Sequence, residues 1–365
     1  MTYKLIVMKS KSTIFLTGAT GLVGSYLLRI LLKNNHKVYC LARAKKKKSA
    51  KERVKDVLNF WDREVLRKHK DNLVVLEGDI TKKNLGLTNS KVSLLKKEIN
   101  EIFHCAAVTR FNWLLNKIRK VNVGGTKNVL KLALQCKNLK KVNHISTAYV
   151  CGDYKGVFKE TDLDVGQSFN TTYLRSKFEA EKLVHKYREK GLWVDIFRLP
   201  LVLGETISGK ILKFDNIYQI LSICSSQIFD TLPLLDTYLF AVPVDYVCFA
   251  LYILSRKERM YNKTYHLFSC KPFSLEKIIE IFSKIVNFKK PRLVSFENFD
   301  RRDFTPAQKL LLNSMVFSEN LNPEINSDFT NNILRKYHFC FPRVNERFLR
   351  STLKYFINSR AAFLN

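Results

Sequence analysis

The sequence predicts an α/β protein in which a doubly wound parallel sheet is followed by a smaller C-terminal domain. Three observations carry that expectation. A glycine-rich turn, TGATGLVG (17–24), separates a short apolar run from a stretch of helical periodicity. Strand-length apolar runs then alternate repeatedly with helical segments as far as Pro200. Beyond Pro200 the rhythm stops and turn-rich segments take over. A length of 365 residues suits one large domain with a smaller one appended, and we place them at residues 1–200 and 201–365.

The elements follow in order. STIFLT (12–17) is an apolar run that stops at Gly18. From Gly24 to Asn34, residues Tyr26, Leu27, Ile30, Leu31 and Leu32 recur at helical spacing, and KVYCLAR (37–43) reads as the next strand. Strand, glycine turn, helix and strand make a βαβ unit, whose two strands run parallel. Lys51–His69 predicts a helix, LVVLEGD (73–79) a strand, 90–98 a helix, EIFHCAA (101–107) a strand, 122–136 a helix and KVNHIST (141–147) a strand. A helix carrying Tyr173 runs to about Lys190, and WVDIFRLP (193–200) is the following strand. After Pro200 come a helix near 213–229, the strand-like FAVPVDYV (240–247), a helix near 245–256 and the strand-like TYHLFS (264–269). SLEKIIEIFSKIVNF (274–288) is an amphipathic helix with Ser274 as its N-cap. The tail from Lys289 mixes polar loops and helices. We take residues from about 201 onward as mostly a substrate-binding domain, and in this architecture some of its strands can rejoin the main sheet.

The glycine turn carries the first chemistry. Gly18, Gly21 and Gly24, with Thr20, Leu22 and Val23 between them, lie between a strand and a helix. Glycine permits the tight turn and the close approach of a pyrophosphate, which the free N–H groups of the helix N-terminus then hold. A dinucleotide with an unmodified ribose calls for an acidic residue about 20 residues on. Here the second strand ends in Leu41-Ala42-Arg43, followed by Lys45 to Lys48. Arg43 can grip a 2′-phosphate bidentately, so NADP(H) is the expected cofactor. The lysines after it read as a solvated loop. Asp79 and Ile80 end the third strand, either facing an adenine ring or capping a loop. Ala106 and Ala107 end the fourth, where small side chains let a cofactor lie close or simply pack.

Tyr173 and Lys177, in YLRSK, share one helix face at i and i+4. An ammonium beside a phenol favours the phenolate and lowers the phenol's pKa. Such a phenol serves as general acid in carbonyl reduction or as base in alcohol oxidation. HISTAYVCG (144–152) closes a strand and brings Ser146 and Thr147 to the carboxyl edge of the sheet, where ligands bind in these folds.

TGATGLVG, NVGGTKNV (122–129), HISTAYVCG, YLRSK and FRLPLVLG (197–204) occur in that order. Together they resemble the extended short-chain dehydrogenase/reductase superfamily, which implies a Rossmann-type sheet. CLARA (40–44), STAYVCG, and GETISGK (204–210) leading to FDN (214–216) resemble thioester reductase domains and fatty acyl-CoA reductases in particular, as does the segment 328–356. The resemblance implies catalytic roles for Thr147, Tyr173 and Lys177. It makes Asn122 a support of the active-site helix and places Pro200 beside the nicotinamide. The order FRLP and the segment 110–120 depart from the family pattern. The activity implied is NADPH-dependent hydride transfer to an acyl thioester, on CoA or an acyl carrier protein, or to the derived aldehyde. The alternatives are a nucleotide-sugar epimerase or dehydratase, a hydroxysteroid-type dehydrogenase, or a non-catalytic NADP(H)-binding sensor.

The chain carries 63 Lys and Arg against 32 Asp and Glu, a formal net charge of +31. That suits a phosphate- or carboxylate-rich partner or an anionic membrane surface, or reflects a lysine-rich surface with no specific partner. Neither zinc-finger spacing nor an RNA-recognition motif occurs, so nucleic acid is not expected. The eight cysteines form no CxxC pair and sit mostly in apolar runs, as free thiols of a reducing compartment do. No metal site is expected, since the histidines do not cluster with them at ligand spacing. Neither a secretory leader nor a transmembrane run is read in the sequence, and the expected location is cytoplasmic. The apolar stretch 217–244 reads as core or pocket lining, with peripheral membrane contact left open.

Overall fold

The structure is a computed structural model. It describes residues 11–110, 113–215, 217–233, 238–257, 261–268, 272–294, 324–342 and 344–364, with single positions between 299 and 309. Seven strands form the central sheet among these residues: β1 (Thr13–Thr17), β2 (Lys37–Ala42), β3 (Leu73–Glu77), β4 (Glu101–His104), β5 (Lys141–Thr147), β6 (Val194–Leu199) and β7 (Thr264–His266). Their order is β7-β6-β5-β4-β1-β2-β3, and every neighbouring pair is parallel. The strand order reverses between β1 and β4, which opens a crevice at their carboxyl ends. This is the doubly wound sheet that the alternation predicts.

Side chains alternate across the sheet as the strand period requires. Ile14, Leu16, Val38 and Cys40 face α1 (Leu22–Lys33) and α2 (Ala50–Trp61). Phe15, Tyr39, Ile102 and Val142 face α3 (Asn89–Glu98), α4 (Thr126–Ala133) and α5 (Thr172–Arg188). Both faces are covered, so the strands read as continuous apolar runs.

Residues beyond 200 enter two cores. The helix α6 (Val244–Ser255) packs on α1, and β7 lies at the sheet edge in register with β6 (Ile196 opposite Thr264). A separate core gathers Tyr218 and Leu221 from helix Ile217–Ser225, Ile278 and Phe282 from helix Leu275–Val286, and Phe348 and Phe356 from helix Glu346–Leu364. Ser274 caps its helix by accepting the Lys277 N–H, as expected.

The structure also differs from the sequence reading. The helix expected over Lys51–His69 is broken at Asp62, whose extended backbone ends α2 and whose carboxylate caps helix Arg63–His69 by accepting the Glu64 N–H. The strand expected over 240–247 covers only Ala241–Pro243, since Pro243 is the N-cap of α6. The helix expected over 122–136 is α-helical only from Thr126, after a widened π-type turn at Lys120–Gly125. Of the thiols, Cys40, Cys151, Cys224 and Cys248 are buried, whereas Cys340 is exposed and Cys270 lies outside the described residues.

Candidate active site

The glycine turn leaves β1 at Thr17 and enters α1 at Leu22. Gly18 has φ +76°, and a Cβ there would sit 2.6 Å from Ala106 N. A Cβ on Gly24 would collide with Gly18 O. Gly21 differs, since a Cβ there would meet only Gly18 O, at 3.3 Å. Two of the glycines therefore let the turn close on itself and on the end of β4. The third keeps the space beside the turn clear of protein. α1 has Gly21 as N-cap, no side-chain cap and no acid in its first turn, so its leading N–H groups remain available to an anion.

Two guanidinium groups converge beyond β2. Arg43 is largely exposed and lies 3.6 Å from Asp79 Oδ2. Arg53, on α2, donates to Arg43 O (2.5 Å) and to Thr20 Oγ1 (3.2 Å). Burial, then the neighbouring Arg43, lowers the Arg53 pKa from its usual value, as expected of cations gathered where an anion belongs. The sequence reading missed Arg53; its signal was the spacing Arg43–Arg53, a strand end against the first turn of the next helix. Asp79 is engaged as a cap, because its Oδ1 accepts both the N–H and the hydroxyl of Thr81 at 2.9 Å. Burial works to raise its pKa, but the Thr81 bonds and Arg43 outweigh it and hold the carboxyl below its usual range. Ile80 is buried against Gly125, and Asn128 donates to its carbonyl (2.8 Å).

The turn is tied to the active-site helix by a buried chain that sequence reading also missed. Ala106 N–H donates to Thr17 Oγ1 (3.3 Å), Thr17 meets His104 Nδ1 (2.7 Å), and His104 Nε2 meets Thr126 Oγ1 (3.0 Å). Thr126 donates to Asn122 O (2.6 Å). Thr126 has thus spent its proton, so it accepts from Nε2–H, and Thr17 donates to Nδ1. Burial holds His104 neutral, with its pKa down to about 3. Asn122 then accepts the Val108 N–H (2.8 Å) and donates to Val108 O (3.0 Å) and to the Ser176 hydroxyl (2.9 Å). It touches the segment after β4 and the helix α5, in line with a supporting role.

Thr147, Tyr173 and Lys177 meet at the end of β5. Thr147 donates to Leu199 O (3.2 Å), and its side chain is hydrogen-bonded to the Tyr173 hydroxyl. Leu199, its register partner, precedes the buried Pro200. Lys177, 4% exposed, donates to Ile145 O (2.7 Å). The expectation that Lys177 lowers the Tyr173 pKa does not describe this arrangement. Burial pushes the Tyr173 phenol up to about 12, and Thr147 is what opposes it. Burial lowers Lys177 to about 8, although Glu181 and the Cys105 thiol raise it. The ammonium donates to a backbone carbonyl, that of Ile145. One turn further along α5, Glu181 is fully buried and paired with Arg198 (2.8 Å), which also contacts His266 Nε2 (3.1 Å) on β7. Ser146 Oγ, by contrast, is buried with no partner among the described residues.

The arrangement joins an anion cradle, a cation pair, and a phenol–hydroxyl pair at one sheet edge. It can hold a phosphate-bearing dinucleotide and hydrogen-bond an oxygen beside it. Among the described residues no group of three or more His, Cys, Asp or Glu could hold a metal, and no helix is long and apolar enough to cross a membrane.

Comparison with known proteins agrees with the fold. The pattern of the Male sterility protein family matches residues 16–251. Nonribosomal peptide synthetase asaC of Aspergillus flavus is 30% identical over 71% of this chain and 26% of its own length. Fatty acyl-CoA reductase wat of Drosophila melanogaster is 30% identical over 56% of this chain and 46% of its own. The chain therefore spans less than half the length of these curated relatives. Among solved structures, the terminal R domain from the myxalamid PKS-NRPS biosynthetic pathway superposes with a TM-score of 0.83 at 26% identity, covering 96% of this chain and 92% of that one. These matches bear out the resemblance drawn from the motifs.

Proposed function

The chain belongs to the Male sterility protein family, and from that premise we propose that it is an NADP(H)-dependent reductase of acyl thioesters or of the aldehydes derived from them. The observation that carries the reading is the meeting of Tyr173 and Thr147 at the edge of β5, with Lys177 one turn along the same helix. NADP(H) fits the residues present. The glycine turn and α1 N-terminus accept the pyrophosphate, Arg43 and Arg53 flank the place of a 2′-phosphate, and Ala106, Ala107 and Pro200 leave room along the sheet edge. Asp79 and Ile80 border the adenine end.

Bound there, the cofactor supplies hydride to a carbonyl carbon. Tyr173 donates to the carbonyl oxygen, and Thr147 joins it by exchanging its long bond to Leu199 O for one to that oxygen, hydrogen bonds that strengthen as the oxygen gains charge. Tyr173, whose pKa lies far above neutrality, keeps its proton and delivers it to that oxygen. With a thioester the product is a hemithioacetal. Its C–S bond then breaks to give free thiol and aldehyde. Lys177 fixes the end of β5 through Ile145 O and brings a positive charge near the site. Asn122 holds α5 in place. The relatives named as peptide synthetase and acyl-CoA reductase point to a thioester on a carrier protein or on CoA.

The test is NADPH oxidation across a panel of acyl-CoAs, acyl carrier proteins, aldehydes and nucleotide sugars. Turnover of a thioester or aldehyde is expected, falling by about 10²–10⁴ in Tyr173→Phe while NADPH binding persists. Turnover of a nucleotide sugar alone would overturn the reading, as would full activity in Tyr173→Phe.

A further inference from the structure

We propose that the outer surface of α3, α4 and α5 is a docking face for an anionic lipid membrane. The proposal stands on how charge is distributed over the fold and does not depend on the reductase reading. Between Asp79 and Asp153 the only acids in the sequence are Glu98 and Glu101. Both are engaged, Glu98 by Lys37 and Tyr39 and Glu101 by Arg256 at the foot of the sheet. The same stretch forms α3 and α4 and carries lysines at 82, 83, 91, 96, 97, 117, 120, 127, 131, 137, 140 and 141.

Helical spacing sorts these lysines onto one surface. Lys91, Leu94 and Lys97 follow each other at i+3 on α3, and Lys127, Lys131 and Leu134 at i+4 and i+3 along α4. All six are exposed, the leucines at 39% and 45%. The ends of the two helices are joined, for Lys137 N–H donates to Lys96 O (3.1 Å) and Asn138 to Lys97 O (2.8 Å). The last turn of α5 extends the layer with the exposed Lys186, and Lys190 follows just beyond the helix beside the exposed Glu189. Among the described residues, none of these exposed lysines has a carboxylate within ion-pair distance.

The layer on the opposite side of the sheet is different. There Lys33 pairs with Asp62, Lys48 with Asp56, and Arg67 with Glu64, at 2.5–2.6 Å. Lys51, Lys55 and Lys70 are exposed there as well, but Glu52, Asp56, Asp62, Glu64 and Asp71 stand among the cations of residues 50–72, whereas residues 80–152 hold only Glu98 and Glu101.

The form of that face favours lipid. The basic residues come from separate elements, α3, α4, the segment that follows α4 and the last turn of α5, so the basic layer is extended rather than a single cleft. Its cations are mostly lysines on flexible stems, interspersed with isolated leucines able to enter the headgroup region. Recognition of single-stranded RNA would use exposed aromatic platforms, and Trp193 at the rim is instead stacked on Tyr261 (4.1 Å between centroids). A folded acidic protein would call for forked arginine contacts of fixed geometry.

The experiment is flotation of the full chain with vesicles of phosphatidylcholine alone, or of phosphatidylcholine with about one third phosphatidylserine. Wild type is expected to float with the anionic vesicles only, and to be released at about 0.5 M salt. The variant K91E/K97E/K131E/K137E is expected to bind at least about tenfold more weakly. A control with the same charge change on the other side, K51E/K55E/K68E/K70E, is expected to stay within about twofold of wild type. If either variant fails to melt cooperatively, the corresponding Lys→Gln set replaces it. Equal losses in the two variants, retained binding by a folded face variant, equal binding to neutral vesicles, or capture by an acidic carrier protein or RNA without vesicle binding would each overturn the proposal.

Discussion

The side-chain amide of Asn122 donates to the Ser176 hydroxyl across 2.9 Å, joining two helices that lie 54 residues apart in the chain. Ser176 in turn donates to Tyr173 O (2.7 Å), so the amide sets the position of the first turn of α5. Its remaining bonds hold both backbone groups of Val108.

Asn122→Ala is expected to strand those partners and to cost about 1–3 kcal/mol of stability. Thermal melting checks this. Because the residue positions Tyr173 rather than touching substrate, kcat should fall more than the Kd for NADPH rises. Loss of stability with unchanged kcat would reduce Asn122 to a structural tie.

The alkaline limb of the reaction should belong to Lys177. Its pKa is lowered to about 8 by burial, whereas Tyr173 is raised to about 12. Reduction requires the phenol protonated, which it remains through the working range. The ammonium is lost as pH rises through about 8, so kcat/KM, which reports the free enzyme, is expected to decline there. Lys177→Arg keeps its charge, so its residual activity should persist to higher pH. A profile flat to pH about 10 in wild type would exclude Lys177 as the titrating group.

Arg43 and Arg53 should act on one cofactor and not the other. Removing a charge-assisted bond to phosphate costs about 1.5–3 kcal/mol. Arg53→Ala is expected to weaken NADPH binding by about tenfold or more while NADH binding hardly changes, and the double variant should abolish the preference. Fluorescence titration with the two dinucleotides measures this directly.

The two glycines of the turn should fail in different ways. Gly24→Ala drives a methyl into Gly18 O, so the expected result is a fold destabilised by about 1–3 kcal/mol. Gly21→Ala meets only a 3.3 Å contact. It should melt near wild type yet bind the dinucleotide poorly, as the methyl occupies the approach to the turn. Calorimetry paired with titration separates the two.

The parallel sheet was legible because strands buried on both faces read as nearly unbroken apolar runs, Ile14 to Leu16 in β1 and Val38 to Ala42 in β2 being the clearest. Gly18, Thr147, Tyr173 and Lys177 were legible because their chemistry is local to short motifs. Arg53 was not, because a solvent-facing helix is rich in arginine for many reasons, and only the fold brings it against Arg43 O and Thr20. The chain from Thr17 through His104 and Thr126 was hidden because its members lie on different elements. The direction of the Tyr173 shift was hidden too. Spacing at i and i+4 shows that two side chains share a face, not where the ammonium points, and here it points to Ile145 O. The break at Asp62 left only a weak trace, since an acid within a polar helical stretch also suits an uninterrupted helix.

The edge strand β7 and the helix α6 have a consequence for how the chain comes off the ribosome. Ile196 waits for Thr264, Arg198 for His266, and α1 for α6. The nucleotide-binding half thus cannot be completed when residue 200 emerges. Its edge stays open while the segment that builds the second core is still being synthesised, and these late, long-range pairings set a slow closing step. A fragment ending at Pro200 would keep every glycine and hydroxyl of the site, yet leave β6 as an unpaired apolar border prone to self-association.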